Sequence, residues 1–259
     1  MPCFGCLGAK EDEADYEAHH VQHPFYEVGL AHDMNAAHRK TMEDAHVVKV
    51  PYMGDGTAGF FAVYDGHGGN EAAVEAANSL HVILEAEIKS KGSIKEAFES
   101  AYAKVDESLK STATDRGSTA VTCLIQKKGM APKIHIANAG DARAILCRNG
   151  RAVRLTQDHK PSVESEKKRI TDSGGFITND RVNSILGVSR ALGDHLLKKW
   201  VISTPYYIES DLQEGDSMMI IACDGVWDVI EDSEAIDIAR GQFPPLLSCV
   251  TSYATYSTE

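Results

Sequence analysis

The chain has 259 residues, 43% hydrophobic and 25% charged, which excludes collagen-like, low-complexity and wholly disordered classes. Its 38 acidic against 26 basic residues give a formal net charge of -12, a sign that repels nucleic acid and anionic membranes and suits metal cations. No apolar run approaches the ~20 residues of a bilayer span.

Residues 1–24 form an acidic leader with His19, His20 and His23 and no sustained periodicity, expected to be mobile. Strand-like runs follow at 26–31, 45–50 and 59–64. Apolar residues recurring every three or four positions then predict helices over 70–89 and 93–109. Strands return at 119–126, 133–137, 142–148 and 152–155, with Arg148-Asn149-Gly150 as a hairpin turn. A short helix over 163–172 stops at Ser173-Gly174-Gly175. A last strand, 217–222, leads into a helical stretch reaching 240.

Runs of strands with an inserted helix pair predict an α+β fold, a helix–sheet–sheet–helix sandwich of two mostly antiparallel β-sheets. The expected organisation is the leader, one domain over 25–240, and a divergent tail over 241–259. That tail has no charged residue from Gly241 to Thr258. Six scattered cysteines and no signal segment point to a reducing compartment, cytoplasmic or nuclear. Gly54-Asp55-Gly56-Thr57-Ala58-Gly59 spells a dinucleotide fingerprint but precedes a strand, so it reads as a turn. Cys3 and Cys6 make a lone pair with no second one, which argues against zinc.

Four segments carry chemistry. They are Arg39-Lys40-Thr41-Met42-Glu43-Asp44, Tyr64-Asp65-Gly66-His67-Gly68-Gly69, Asn138-Ala139-Gly140-Asp141 and Cys223-Asp224-Gly225-Val226-Trp227-Asp228. In the second and fourth an apolar strand runs straight into Asp-Gly. A carboxylate there is held rigidly where core gives way to solvent. Oxygen ligands of this kind suit Mg²⁺ or Mn²⁺. Two such ions ~3.5–4 Å apart can clamp a phosphoryl group. Glycine after the aspartate lets a carbonyl approach the metal. Glu43 and Asp44 are neighbours and point to opposite faces of a regular strand, so at most one should ligate directly.

These segments resemble the metal-dependent protein serine/threonine phosphatases of the protein phosphatase 2C type. Gly117-Ser118-Thr119-Ala120, Leu155-Thr156-Gln157-Asp158-His159-Lys160-Pro161 and Ser189-Arg190-Ala191-Leu192-Gly193-Asp194 extend the match in the family's order. The resemblance implies a dinuclear Mg²⁺ or Mn²⁺ centre at one end of the sandwich, with Asp65 bridging and the Gly66 carbonyl ligating. Glu43 and Asp44 would serve one side and Asp224 the other. A weaker third ion would sit with Asp141, Asp224 and Asp228. It further implies Arg39 on the substrate phosphate, a weaker phosphate contact at Arg181 in a flap over 160–185, and His67 as general acid. The implied reaction is attack of metal-bound hydroxide on phosphoserine or phosphothreonine, with phosphorylated proteins as partners and a monomer as the expected state. The family's pattern continues with an Asp-Asn pair that ligates metal and a closing strand. No Asp-Asn occurs after Asp224. Two consequences are expected: one metal loses a carboxylate, with water in its place at reduced affinity, and the sheet is left with an unpaired edge. The alternative reading is then a weak or inactive module that binds phosphoproteins.

Overall fold

The structure is a computed structural model that describes residues 16–23, 26–36, 39–127, 131–242 and 248–252. Gly59–Tyr64 shows how its layers arise. Phe60, Ala62 and Tyr64 enter one core, and Phe61 and Val63 enter another, as the two-residue repeat of a strand dictates. All six residues are buried, so this strand lies between two apolar layers. The strand at Asp216–Ala222 does the same, sending Met219 and Ile221 to the shared core and Met218, Ile220 and Ala222 outward.

In chain order the strands are β1 (Tyr16–His23), β2 (Tyr26–Asp33), β3 (Ala45–Lys49), β4 (Gly59–Tyr64) and β5 (Gly66–His67). After helices α1 (Glu71–Ser90) and α2 (Ile94–Ser108) come β6 (Gly117–Ser118), β7 (Ala120–Gln126), β8 (Lys133–Ala139), β9 (Arg143–Arg148) and β10 (Arg151–Arg154). Helix α3 (Glu164–Asp172) leads to β11 (Ile177–Thr178), β12 (Arg181–Val182), β13 (Leu192–Gly193), β14 (Tyr206–Asp211) and β15 (Asp216–Ala222). The last elements are α4 (Asp224–Trp227), α5 (Asp232–Gln242) and β16 (Ser248–Ser252). One sheet runs β1-β2-β16-β15-β9-β10 and the other β14-β8-β7-β4-β3. The sandwich is therefore the α+β architecture expected, antiparallel except where β16 pairs parallel with β15 and β2.

Helices α1 and α2 cover the five-stranded sheet. Ala72, Ala76, Leu80 and Leu84 recur every four residues along the buried stripe of α1. Ser93 caps α2 by accepting from the Glu96 N–H at 3.4 Å. Among the described residues the opposite face carries only α5 and the single turn α4, against Trp227, Ala235, Ile236 and Ala239, rather than a second long pair. The β9–β10 turn falls at Asn149 and Gly150, both with φ near +50 to +75°, the hand that a two-residue hairpin needs. The Gly54–Gly59 segment is a turn: the Thr57 N–H donates to Asp55 Oδ1 at 2.8 Å.

Three expectations need correction. The stretch read as a mobile leader contains β1, whose pairing runs from Tyr16↔Asp33 to His23↔Tyr26. Its sequence lacks apolar alternation, the pattern from which a strand is read. The edge expected to be exposed is filled: β16 inserts between β2 and β15. Strand β14, not anticipated, pairs with β8, where its half-exposed residues gave no clear alternation. Cys3 and Cys6 lie outside the described residues. No helix among those described is long and apolar enough to cross a membrane.

Phe61 is fully buried between the sheets. Phe61→Ala is expected to cost about 3–5 kcal/mol, read from urea or thermal denaturation, with secondary structure retained by circular dichroism.

Candidate active site

Two strand pairs deliver the acidic groups to one end of the sandwich. In β3–β4 the last paired residues are Ala45 and Tyr64, so the next step along the register sets Asp44 opposite Asp65. In β9–β15 the last pair is Arg143 and Ala222, and two steps further on Asp141 faces Asp224. Each sheet thus ends in a cross-strand pair of like charges, an arrangement that opposes folding on its own. Strands β4 and β15 touch across the sandwich, which brings the two pairs together. Ligand atoms of Asp65, Cys223 and Asp224 lie within 4.8 Å of one another.

The electrostatic consequence is large. Burial pushes the Asp65 carboxyl far above the usual range, and the charges of Asp44, Asp224 and Asp141 push it further. Burial raises Asp44 to about 6, against the lowering effect of hydrogen bonds from Cys223 and Asp65. Burial and the Asp224 charge raise Asp141 to about 7. Asp141 Oδ1 is buried with no hydrogen-bond partner among the described residues. Buried carboxylate oxygens in excess of their donors fit hard divalent cations. Cys223 does not join them as a thiolate: burial and neighbouring carboxylates push its thiol pKa well up. Its Sγ instead donates to Asp44 Oδ2 at 3.5 Å.

The carboxylates open onto a cleft of about 610 Å³ lined by Arg39, Glu43, Asp65, Gly66, His67, Asp141, Arg181, Asp224 and Asp228, among others. Asp44 lies behind this surface and reaches the cluster through Asp65 and Cys223. Of the Glu43–Asp44 neighbours, Asp44 therefore joins the buried group, while the Glu43 carboxylate accepts from the Thr41 hydroxyl at 3.4 Å. Gly66 has a steric reason to lack a side chain that differs from the one anticipated: a Cβ there would meet the Glu43 carbonyl oxygen at 2.4 Å. The Arg181 guanidinium is exposed at the cleft and donates to its own hairpin, at the Ile185 carbonyl, 2.8 Å away. Asp228 is exposed and held by Lys160, 2.9 Å from its Oδ1. The same ammonium lies 3.8 Å from Asp141, so a resident cation already stands beside the set assigned to a third ion.

Two partners were not assigned from sequence. The His67 ring Nε2 meets both oxygens of buried Asp194, at 2.8 and 2.9 Å. That carboxylate, 127 positions along the chain, orients the imidazole; adjacent Asp65 does not. The pairing of β5 with β6 and of β6 with β13 brings them together. Lys160 is the other. Both lie inside quoted motifs, but spacing alone gave neither a partner.

Residues 29–244 match the family model of Protein phosphatase 2C. Over 224 residues the chain is 38% identical to Protein phosphatase 2C homolog 1 of Schizosaccharomyces pombe, covering 84% of this chain and 65% of that protein. It is 40% identical over 211 residues to Probable protein phosphatase 2C 32 of Oryza sativa, covering 78% and 53%. A solved structure described as a C. elegans sex determining protein superposes with a TM-score of 0.72 at 25% identity, covering 91% of this chain and 57% of that one. Serine-threonine phosphatase 2C from Toxoplasma gondii shares the fold, with a TM-score of 0.66 at 24% identity over 78% and 79% of the two chains. The chain belongs to the protein phosphatase 2C family. It spans less than two thirds of the length of the fission yeast and rice relatives.

Asp44 and Asp141 titrate above their ordinary value of 3.8 in the folded chain. At these two groups the folded chain thus holds more protons than the unfolded chain between about pH 4 and 7, and their contribution to stability is lost as pH rises through that window, outweighing the opposite effect of buried His159, which burial lowers to about 4. In chelator, Tm is expected to fall from pH 5 to pH 8, and Mg²⁺ or Mn²⁺ to flatten the decline. A decline of the same steepness with and without the cation counts against the cluster as a cation site.

Proposed function

We propose that the protein hydrolyses phosphoserine and phosphothreonine in proteins, using Mg²⁺ or Mn²⁺ held by Asp65, Asp44, Asp224 and the Gly66 carbonyl, with Glu43 at the rim. The observation that carries this reading is the convergence of Asp44, Asp65, Asp141 and Asp224 under a cleft that also presents Arg39 and His67. Divalent cations bound there would neutralise the carboxylates, activate water as the nucleophile and offset the charge of the phosphoryl group. Asp141 and Asp224 offer oxygens for a third, weaker ion, which competes with Lys160 for Asp228.

The chain's own residues supply the rest. The Arg39 guanidinium, exposed on the cleft wall, offers a two-pronged donor to phosphate oxygens. Arg181 contacts the substrate from the flap once its hydrogen bond to Ile185 is exchanged. With Nε2 held by Asp194, the His67 imidazole keeps Nδ1 for proton transfer to the departing seryl or threonyl oxygen. Cys223 keeps a proton on the Asp44 side of the cluster and so fixes that carboxylate's orientation.

Mn²⁺-dependent release of phosphate from a phosphothreonine peptide tests the assignment. Asp65→Asn should lower kcat on the order of 10²–10³-fold, as loss of a principal electrostatic group does. Asp194→Asn should lower turnover of the peptide while leaving Mn²⁺ affinity unchanged, read by calorimetry. Turnover that survives both chelation and Asp65→Asn refutes the proposal. Tight phosphopeptide binding without turnover at saturating Mn²⁺ counts against hydrolysis and leaves a phosphoprotein-binding module.

A further inference from the structure

The group that holds His67 is itself held from outside the cleft. Asp194 is buried and adopts a left-handed backbone, with φ of 50°, a conformation uncommon outside glycine that aspartate is among the few residues to tolerate. Support comes from both sides. Its own N–H donates to the Arg116 carbonyl at 2.7 Å. Helix α2 supplies the rest through Asp106, a residue only 8% exposed.

Asp106 Oδ1 accepts the Gly193 N–H at 2.9 Å and the Lys198 Nζ at 2.7 Å. The Asp106 main-chain carbonyl accepts from His195 Nε2 at 2.8 Å. Lys198 also donates to the Ala191 carbonyl at 3.0 Å, closing the loop on itself. One helical residue therefore grips positions 193, 195 and 198, on both sides of Asp194. The space between the dyad and its neighbouring strand is equally constrained. A Cβ at Gly117 would fall 2.1 Å from Asp194 Oδ2 and 2.5 Å from His67 Nε2.

We propose that Asp106 is a positioning residue for proton donation by His67, acting through the 193–198 loop on Asp194. This rests on His67 being the general acid of the proposed reaction. Asp106 does not line the cleft and is not among the groups that act on the carboxylate cluster. Its removal therefore affects one step: protonation of the leaving oxygen. Phosphothreonine needs that proton, because an alkoxide is a poor leaving group. p-Nitrophenyl phosphate does not, because p-nitrophenolate departs unaided.

The test compares both substrates on the full chain with saturating Mn²⁺. Asp106→Ala is expected to lower kcat on a phosphothreonine peptide about 10–100-fold, part of the range that general acid catalysis supplies. Under the same conditions kcat on p-nitrophenyl phosphate should fall less than about threefold, with KM and Mn²⁺ affinity by calorimetry unchanged. Asp106→Asn keeps an oxygen for Gly193 and Lys198 and should restore the peptide rate to within about threefold of wild type. Should Asp106→Ala fail to fold because half-buried Lys198 loses its counter-charge, Asp106→Ala with Lys198→Met removes both charges and should show the same discrimination. His67→Gln is the reference. If it discriminates between the substrates and the folded Asp106 variants do not, the inference fails while the acid assignment stands. If His67→Gln lowers both substrates equally, the acid assignment fails and the role of Asp106 goes with it.

Discussion

Mutual repulsion among four closely set carboxylates is the constraint around which this protein is organised. Asp44, Asp65, Asp141 and Asp224 meet because two antiparallel pairs, one from each sheet, end at the same edge of the sandwich. An uncompensated cluster of this kind opposes folding, and a compact divalent cation is the counterpart that turns the repulsion into affinity. The apolar layers on both sides of β4 and β15 keep the carboxylates in place against that repulsion. Rigidity here is part of the site's chemistry.

Around this centre the protein distributes smaller tasks to local networks. Lys160 lies between Asp141 and Asp228 and stabilises that corner with a charge that is covalently part of the chain. His67 depends on Asp194, and Asp194 on helix α2. Arg143 reaches Asp158 and Asp232 and stacks on Trp227 at 5.1 Å, which ties α5 to the sheet beneath it. None of these partners is close in sequence, and each closes a long loop onto the sandwich.

Much of this was legible in the sequence, and the division has a physical cause. Strand β4 announces itself because both of its faces are apolar and it runs into Asp-Gly. Helices α1 and α2 are read from a four-residue stripe. The hairpin at Asn149-Gly150 follows from the turn's need for positive φ. What was missed depends on pairing. Strands β1 and β14 are edge strands, and neither sequence alternates apolar and polar residues cleanly. Strand β16 occurs in a Pro-containing, uncharged stretch, where the available gap between β2 and β15 decides the outcome. In the site, carboxylates at strand tips could be inferred from local pattern. Asp194 could not, because only the β5-β6-β13 ribbon brings it to His67.

The flap over the cleft has an apolar cluster of its own. Ile170, Val182, Val188, Ala191 and Val201 pack together apart from the main layers. Glu166 pins the base of this unit, accepting from Arg169, Arg190 and Ser189. Surface residues of the hairpin, such as Phe176 and Ile185, are largely exposed and contribute little to that cluster. Substitutions on the hairpin surface can therefore reshape the rim of the cleft without disturbing the acidic centre below. A scaffold divided in this way leaves the rim free to vary while the carboxylates keep their places.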